Sequence, residues 1–560
     1  MSRTVFLVVA VFFLLFFLLP IWGTLRTAFQ DLNGHFTLEF VLEVFRNPLY
    51  REGLFNSFLI AVLTTLGCLL LALPLAVAYV RYRFPGRGLL NSLLLTPLIL
   101  PPFVGALGVQ MMLGQAGALN SLLAGLGLID AARPVDWLGE GRLIGVVLMN
   151  VLHLYPIVYL NVSASLANLD PALEEAAANL GCPPWRRLWR VTLPMILPGI
   201  FAGSAIAFIW AFTELGVPLI FDYDRVTSVQ IFGAIKDLNN NPFPYALVVV
   251  LLFFTTLFYA GSKLLFQGDV ASGGGRATTG RSLIDLDGPS GWLCSLGFLG
   301  VIGLALLPHA GVVLMSMARD WYQTVLPVEV TLSHFRAALG HELTLSAIAN
   351  SLKYSALATG LDLLLGIGVA WVVVRGTLRG RQVLDAMAML PLAVPGIVIA
   401  FGYLALSREG QPLHGLMLGE DPLLLLVVAY AMRRLPYVVR SAAAGLQQVS
   451  PALEEAALNL GAPPLRTLTR ITLPLVTPNL VAGALLAFSF AMLEVSDSMI
   501  LAQQTIYFPI TKAIYTLASA LGDGPAHAAA LGVWSMVFLT ITLIGAGVVL
   551  GKKLGGLFRV

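Results

Sequence analysis

Two glutamates occur at equivalent places within long apolar segments of the chain. Glu214 and Glu494 are 280 residues apart, and Asp497 follows Glu494 by about one helical turn. An acid inside a bilayer is costly, so such a residue marks a functional site by default. Two carboxylates that face one central path would suit a cationic cargo, and we predict a transport path lined by these three acids.

A second interpretation of the same acids stays open. Counted from Pro198 or Pro478, each glutamate lies about 24 Å along its predicted helix, at about 1.5 Å per residue. That depth is close to the far face of a hydrocarbon core about 30 Å thick. At such a face, the acids would be hydrated or paired with basic groups and would not contact the cargo.

Other charged residues within the apolar segments rank lower as site residues. Asp362 aligns with Cys68, so this acid has no acidic counterpart in the first part of the chain. Arg433 and Arg434 are the basic residues near a span of the second part that would suit an anion. We expect this arginine pair to lie near the cytoplasmic end of its span and to anchor the chain in the membrane.

The sequence shows no constellation for catalysis. Residues 275–282 nearly match a phosphate-binding loop, but Arg281 replaces the required lysine, and no strand and helix flank the segment. His153 and His309 have no neighbours at metal-ligand spacing, and packed histidines are the favoured interpretation. We therefore predict that the chain is not an enzyme and binds no cofactor, and the sequence leaves any metal site undefined.

One segment of the chain occurs twice. The segment PALEEAAANLGCPPWRRLWRVTLP at 171–194 returns as PALEEAALNLGAPPLRTLTRITLP at 451–474, with 18 of 24 positions identical. An early proline and a glutamate pair that suits the helix dipole predict a short helix in each copy. Gly181 and Gly461 are placed to end these helices, and a proline pair then forces a turn. We call the two segments the first elbow and the second elbow.

The overall composition is that of a membrane protein. Hydrophobic residues make up 58% and charged residues 11% of the 560 positions, and the mean hydropathy is +0.85. A soluble domain carries about 25% charged residues, so most of this surface must face lipid. Twelve segments are apolar enough to span a membrane, near 4–26, 54–80, 88–113, 142–165, 196–220, 244–266, 291–317, 347–374, 384–406, 422–444, 476–500 and 527–551.

These segments form two halves in tandem. Gly108 aligns with Gly402 at an offset of 294 residues, and the elbows align at an offset of 280. We predict an all-α polytopic membrane protein with two six-helix halves, 1–266 and 291–560, joined by a Gly- and Ser-rich flexible linker at 267–290. Both halves run in the same direction, which predicts a parallel pseudo-two-fold repeat.

The placement of basic residues predicts the orientation. Lys and Arg are more frequent on the side of the elbows, which predicts cytoplasmic elbows and cytoplasmic N- and C-termini. The apolar run after Arg3 is long for a signal peptide and lacks a cleavage motif, so we expect it to be a retained span. The net charge of +3 and the lack of a basic tract with aromatics argue against nucleic-acid binding.

The elbows resemble the cytoplasmic signature of permeases in binding-protein-dependent ABC importers of type I. The signature is Glu-Ala-Ala, three residues, Gly, nine residues, then Ile-x-Leu-Pro, and Val191 in place of Ile is the one departure. The resemblance implies that each elbow is a coupling helix that docks on an ATPase. It assigns coupling to Glu174, Glu175, Ala176, Ala177 and Gly181 in the first elbow, and to Glu454, Glu455, Ala456, Ala457 and Gly461 in the second.

The same resemblance implies partners and a cargo. The partners are two copies of a cytoplasmic ABC ATPase that carries ATP-Mg, a periplasmic substrate-binding protein and the lipid of a bacterial inner membrane. The run from Ser496 to Ala518 looks most like ferric-iron permeases, while thiamine, polyamine and 2-aminoethylphosphonate permeases share the architecture. A secondary transporter driven by an ion gradient is an alternative from another class, and it would transport without ATP.

Overall fold

The structure is a computed structural model, and it describes residues 2–31, 35–98, 100–139, 142–237, 241–266, 283–417 and 420–550. Regular structure in these ranges is almost entirely helical, because long apolar runs satisfy their backbone hydrogen bonds within the segment. One pair of two-residue strands, β1 (Tyr82–Arg83) and β2 (Ile284–Asp285), runs parallel.

The first half contains the long helix α4 and places the first elbow before α11. A π-helical stretch, Leu14–Leu18, joins α1 to α2, and another, Leu188–Thr192, joins α10 to α11. Its described α-helices are α1 (Ser2–Phe13), α2 (Leu19–Ala28), α3 (Glu39–Arg46), α4 (Pro48–Arg81), α5 (Arg87–Leu94), α6 (Pro102–Leu113), α7 (Ala118–Gly125), α8 (Leu143–Ala167), α9 (Pro171–Asn179), α10 (Pro184–Arg187), α11 (Leu193–Phe212), α12 (Gly216–Ile220), α13 (Thr227–Gly233) and α14 (Phe243–Phe266).

The second half follows nearly the same order of elements, with the single helix α15 in place of α1 and α2 and a 3-10 helix in place of α7. A π-helical stretch at Leu468–Thr472 again joins the elbow to the following span. Its described α-helices are α15 (Pro289–Met317), α16 (Ser333–Gly340), α17 (Glu342–Val374), α18 (Arg381–Met389), α19 (Gly396–Leu406), α20 (Leu423–Gln448), α21 (Pro451–Asn459), α22 (Pro464–Thr467), α23 (Leu473–Met492), α24 (Ser496–Leu501), α25 (Ile510–Ala518) and α26 (Gly524–Leu550). Short 3-10 helices cover Thr96–Leu98, Ala234–Asp237, Leu390–Leu392, His414–Leu416 and Thr505–Tyr507.

The helices account for the predicted membrane spans. Within the described ranges, ten helical stretches are long and apolar enough to cross a membrane, and the bent pair formed by α18 and α19 makes an eleventh. The helix α20 occupies the remaining predicted position, and its arginines make it less apolar than the others. The all-α polytopic fold with two tandem halves is therefore confirmed.

Several predicted spans are interrupted, which corrects the expectation of continuous helices. The segment 88–113 divides into α5, a 3-10 turn and α6, and the segment 384–406 bends by 95° between α18 and α19. Prolines cause both breaks, because they remove backbone donors from the helix. The segments 196–220 and 476–500 also break, just after α11 and just after α23.

The first helices of the two halves cross over to the opposite half. The helix α2 packs against α19, and α15 packs against α6. At one crossing, a Cβ on Gly108 would lie 1.9 Å from Pro308 O, and at the other, a Cβ on Gly402 would lie 2.7 Å from Pro20 O. The equivalent glycines let the helix backbones touch at these crossings. The helices of the two halves therefore pack together, and the largest apolar core contains residues of both halves.

Most of the predicted linker, residues 267–282, lies outside the described residues. The described end contains β2, which pairs with β1 directly after α4. Ser295 Oγ, near the start of α15, donates a hydrogen bond to Pro85 O at 2.8 Å. The second half therefore begins in contact with the end of the first half that carries the elbow.

Candidate functional site

The short helix of each elbow starts and ends at the predicted residues. In the first elbow, Asp170 Oδ1 accepts a hydrogen bond from Ala172 N at 3.0 Å and caps α9. Ser450 makes no such side-chain bond at the start of α21 within the described part of the chain. Gly181 and Gly461 follow the helices with φ of +77° and +81°, the left-handed conformation that favours glycine.

The same hydrogen-bonded turn closes both helices. Cys182 N donates to Ala177 O at 3.0 Å, and Gly181 N donates to Ala178 O at 2.9 Å. The equivalent bonds in the second elbow have the same lengths. A Cβ on Gly181 or Gly461 would meet no atom within 4 Å, so the backbone conformation, and not space, requires glycine here.

The first glutamate of the pair points inward in the first elbow. Glu174 is buried, and its carboxylate accepts hydrogen bonds from Arg81, at the end of α4, and from Thr192, at the end of the π-helical stretch. Arg81 also donates to Thr192 Oγ1 at 2.8 Å. We call this set the first elbow anchor, because it ties the elbow to α4 and to the start of α11.

The second elbow has an equivalent anchor. Arg375, directly after α17, donates from Nε to Glu454 Oε2 at 3.2 Å, and Thr472 Oγ1 donates to Glu454 Oε1 at 3.2 Å. The same arginine donates to Leu446 O at 2.9 Å and Val449 O at 2.7 Å. These carbonyls lie at the end of α20, where helical carbonyls lack partners of their own. The second elbow anchor therefore joins α17, α20, α21 and α23.

The other predicted coupling residues lie on the outer side of the elbows. Glu175 and Glu455 are exposed, as are Ala176 and Ala456, whereas Ala177 is half-buried and Ala457 is buried. Equivalent leucines of the two elbows are almost fully exposed, since Leu180 is 88% exposed and Leu460 is 89% exposed. Each elbow thus presents an acidic and apolar surface that its own half leaves uncovered.

The second predicted site is a cavity between the two halves. Its volume is about 180 Å³, and Trp210 and Glu214 line it from the first half. Arg433, Arg434 and Glu494 line it from the second half. Both predicted glutamates therefore reach one shared cavity, but their immediate surroundings differ.

Glu494 is held by two arginines. It is 3% exposed, and its carboxylate forms ion pairs with Arg433 and with Arg434. Asp497 is also buried, and its Oδ2 lies 3.7 Å from Arg433 NH1. Arg433 and Arg434 lie near the midpoint of α20, so the expectation that they anchor the chain at the cytoplasmic end of a span is wrong.

Glu214 forms no ion pair among the residues that the structure describes. Its Oε1 accepts hydrogen bonds from Gly216 N at 3.0 Å and Val217 N at 3.2 Å, and so it caps α12. The offset that relates Glu214 to Glu494 places His153 at the position of Arg433. The cavity is therefore asymmetric in charge, with both arginines on the side of the second half.

The backbone of the second half makes room for this asymmetry. A Cβ on Gly396 would lie 2.1 Å from Arg433 NH1, and the aligned residue in the first half is Pro102.

Asp362 is buried outside the cavity lining, and its carboxylate has no hydrogen-bond partner within the described ranges. Sequence reasoning undervalued Arg433 and Arg434, although two adjacent arginines in the middle of an apolar segment were a visible signal.

The loops after the two glutamates are tied down in matching ways. Ser228 Oγ donates to Glu214 O at 2.5 Å, and Thr511 Oγ1 donates to Glu494 O at 2.7 Å. Ser57 Oγ accepts from the loop of the first half, and Ser351 Oγ accepts from that of the second, at 3.0 and 2.7 Å. The pseudo-symmetry therefore extends to the backbone of the cavity and is broken at the charged side chains.

Comparison with known proteins agrees with this architecture. Residues 68–268 and 362–548 match the family described as binding-protein-dependent transport system inner membrane component. A ferric transport system permease protein of Actinobacillus pleuropneumoniae is 27% identical over 468 residues, which cover 82% of this chain and 64% of that protein. The match thus spans less than two thirds of that relative's length.

Two further relatives have different descriptions. A probable ABC transporter permease protein of Sinorhizobium fredii is 27% identical over 499 residues, which cover 87% of this chain and 86% of that protein. A putative 2-aminoethylphosphonate transport system permease protein of Salmonella typhimurium is 29% identical over 236 residues, which cover 42% of this chain and 82% of that protein. Since the two matched regions each contain one elbow and together cover most of the chain, it belongs to the family of binding-protein-dependent transport system inner membrane components.

Proposed function

We propose that this chain is the membrane permease of an ABC importer, with one ATPase subunit docked on each elbow. The observation that carries the proposal is that two equivalent elbows share one arrangement. Each has an inward glutamate fixed by an arginine and an outward leucine that is almost fully exposed. Because Leu180 and Leu460 are equivalent and lie outside the candidate membrane spans, they support a protein contact that both elbows share.

The elbow anchors supply a route for coupling. In each half, the buried glutamate binds the arginine at the end of a long helix, α4 or α17, and the threonine that precedes α11 or α23. A displacement of the elbow is therefore transmitted to both helices as a rigid-body motion. Closure of an ATPase pair would move both elbows together and would expose the cavity to the two membrane faces in turn.

Orientation and partners follow from the same proposal. The elbows and both termini lie in the cytoplasm, and the opposite end of the bundle receives cargo from a periplasmic binding protein. The basic residues near the elbows support this orientation in a bacterial inner membrane. ATP and Mg²⁺ belong to two ATPase partners, and this chain is a transport subunit and not an enzyme.

Ferric iron is our first proposal for the cargo. The support is the similarity to a ferric permease over most of the chain. Glu214, which forms no ion pair among the described residues, offers a carboxylate oxygen of the kind that hard cations prefer. Glu494 fits this cargo less well, because two arginines already bind its carboxylate.

A phosphonate is the second candidate, and the arginine pair favours it. Arg433 and Arg434 line the cavity, and guanidinium groups bind tetrahedral oxyanions through paired hydrogen bonds. A relative described as a 2-aminoethylphosphonate permease aligns over 42% of the chain. The ammonium group of 2-aminoethylphosphonate would suit Glu214 on the opposite wall of the cavity.

The coupling proposal is tested by placing a β-branched residue at the glycines that end the elbow helices. Gly181→Val and Gly461→Val would be combined and reconstituted with the ATPase and the loaded binding protein. Because valine disfavours positive φ, we expect ATP-driven uptake to fall at least about tenfold, with about 1–2 kcal/mol of strain at each site. Gly88→Val is the matched control, since Gly88 is exposed, helical and open on all sides.

Unchanged uptake in the double variant would contradict the docking proposal. Uptake by the wild-type chain in vesicles without ATP would instead support a secondary transporter.

The cargo is tested separately, by loading the binding protein with Fe³⁺, thiamine, a polyamine or 2-aminoethylphosphonate and measuring ATPase stimulation. Stimulation by Fe³⁺ alone supports the first candidate, and stimulation by the phosphonate alone replaces it with the second.

A further inference from the structure

A cluster of two histidines and one aspartate lies outside both sites described above. His334 belongs to α16, Asp523 precedes α26, and His527 lies in the first turns of α26. One ligand atom from each residue lies within 4.8 Å of the other two. The cluster is near the start of α17, about 50 Å along that helix from the second elbow anchor, at about 1.5 Å per residue.

His334 is already oriented as metal-binding histidines are. It is 6% exposed, and its Nε2 lies 2.9 Å from Ala318 O. A bond from one ring nitrogen to a backbone carbonyl fixes the tautomer and leaves the other nitrogen as an acceptor. Within the described residues, Nδ1 makes no hydrogen bond. The buried ring therefore presents a lone pair without a protein donor.

The other two residues complete an open site. Asp523 is exposed and His527 is half-buried, so the cluster is accessible from solvent on one side. His527 N donates to Asp523 O at 2.9 Å, which holds the two residues on one turn at a spacing of four. The His334 and His527 rings are 5.6 Å apart between centroids, in an edge-to-face arrangement.

The fold does not need histidines at this contact. His334 aligns with Phe40 of α3, at the offset of 294 that relates the two halves. The corresponding contact in the first half lies between α3 and α14, where Phe40 packs against the apolar core. A polar cluster has thus replaced an apolar one at a position where either keeps the helices packed.

We propose that His334, Asp523 and His527 bind a divalent first-row transition ion, with Zn²⁺ as the representative. Two imidazoles and one carboxylate, with a fourth position left to water, form a ligand set that such ions accept. Bonds of about 2.0–2.1 Å would place the ligand atoms about 3.4 Å apart. The three ligand atoms now lie within 4.8 Å of one another, so the side chains of the accessible Asp523 and His527 must rotate to bring them closer.

The bound ion would fix α16 to the start of α26 at the end of the bundle opposite the elbows. This role is separate from the cargo path, because none of the three residues lines the cavity between the halves. Hard ions such as Mg²⁺ prefer oxygen ligands and should bind poorly here.

The test uses the full chain purified in detergent, stripped with a chelator and titrated with Zn²⁺ or Mg²⁺. We expect one Zn²⁺ per chain by elemental analysis, and an increase in the thermal unfolding temperature that Mg²⁺ does not give, because a ligand of the folded state stabilises it. His334→Phe, which copies Phe40, and His527→Gln should each weaken Zn²⁺ binding at least about tenfold. Loss of a group that only supports a ligand already weakens metal binding by about 10–100-fold, and a direct ligand should matter at least as much.

His35→Ala is the matched control. Asp31 and His35 have the same spacing of four as Asp523 and His527, with Nδ1 of His35 3.5 Å from Asp31 Oδ2, but among the described residues no third ligand group lies close enough to complete a metal site with them. This variant should bind Zn²⁺ like the wild type. The proposal is overturned if the wild type binds no Zn²⁺ at one equivalent, or if His334→Phe and His527→Gln bind it as tightly as His35→Ala.

Discussion

At the scale of single residues, the cavity contains two equivalent glutamates in unequal surroundings. Glu494 is the shared partner of Arg433 and Arg434, whereas Glu214 bonds to backbone amides at the start of α12. Removing one member of a buried ion pair leaves the remaining charges without compensation. The two acids should therefore contribute very differently to stability, although their sequence positions are equivalent.

We expect Glu494→Gln to lower the free energy of unfolding by about 3 kcal/mol, the size of effect seen when a buried pair is broken. Glu214→Gln should cost about 1 kcal/mol, because an amide oxygen can still accept the same backbone hydrogen bonds. Both variants are compared by unfolding the detergent-solubilised chain with a denaturing detergent. Equal losses in the two variants would show that the arginine pair does not depend on Glu494.

At the scale of elements, the joint between each elbow and the following span is a π-helical stretch. Leu188–Thr192 and Leu468–Thr472 occupy the same place in the two halves, and each ends on the threonine of its elbow anchor. A π-helical turn contains one residue more than the α-helical turn it replaces. The extra residue sets the angle at which the threonine meets the buried glutamate.

Deleting Trp189 should convert this joint to a regular α-helix. Closing the wide turn would change the direction of the Thr192 side chain relative to Glu174, because the extra residue sets that direction. We expect the span to insert normally, and ATP-driven uptake to fall at least about tenfold because Thr192 no longer reaches Glu174. Trp189→Ala keeps the register and is the control, and a deletion variant as active as this control would contradict the role given to the joint.

The elbows were predictable from sequence, and the joints and breaks around them were not. The proline, the paired glutamates and Gly181 or Gly461 are residues whose local conformational preferences agree with each other, and the structure follows them. The breaks beside Glu214 and Glu494 lie in apolar sequence that no helix-breaking residue marks at the break itself. The partners of Glu494 come from a helix about 60 residues away, and local patterns carry no information on such contacts.

At the scale of the whole molecule, the two halves form one interlocked body. The first helix of each half packs on the other half, and the crossings depend on Gly108 and Gly402. Sequence comparison showed that these glycines are equivalent, but it gave no reason for their equivalence. The structure supplies that reason, because at each of them a helix backbone lies where a side chain would otherwise be.

This interlocking predicts that the halves stay together without a covalent connection. A protease site would be inserted between residues 266 and 283 of the full chain, and after cleavage the second half would be recovered through a tag on the first. We expect nearly complete recovery of the second half from the wild-type chain. In Gly108→Leu the recovery should fall about tenfold, because the new side chain meets the backbone of Pro308 and overpacking costs about 1–3 kcal/mol. Gly303→Leu, on the open side of α15, should behave like the wild type. Equal recovery in Gly108→Leu and Gly303→Leu would mean that the close crossing does not hold the halves together.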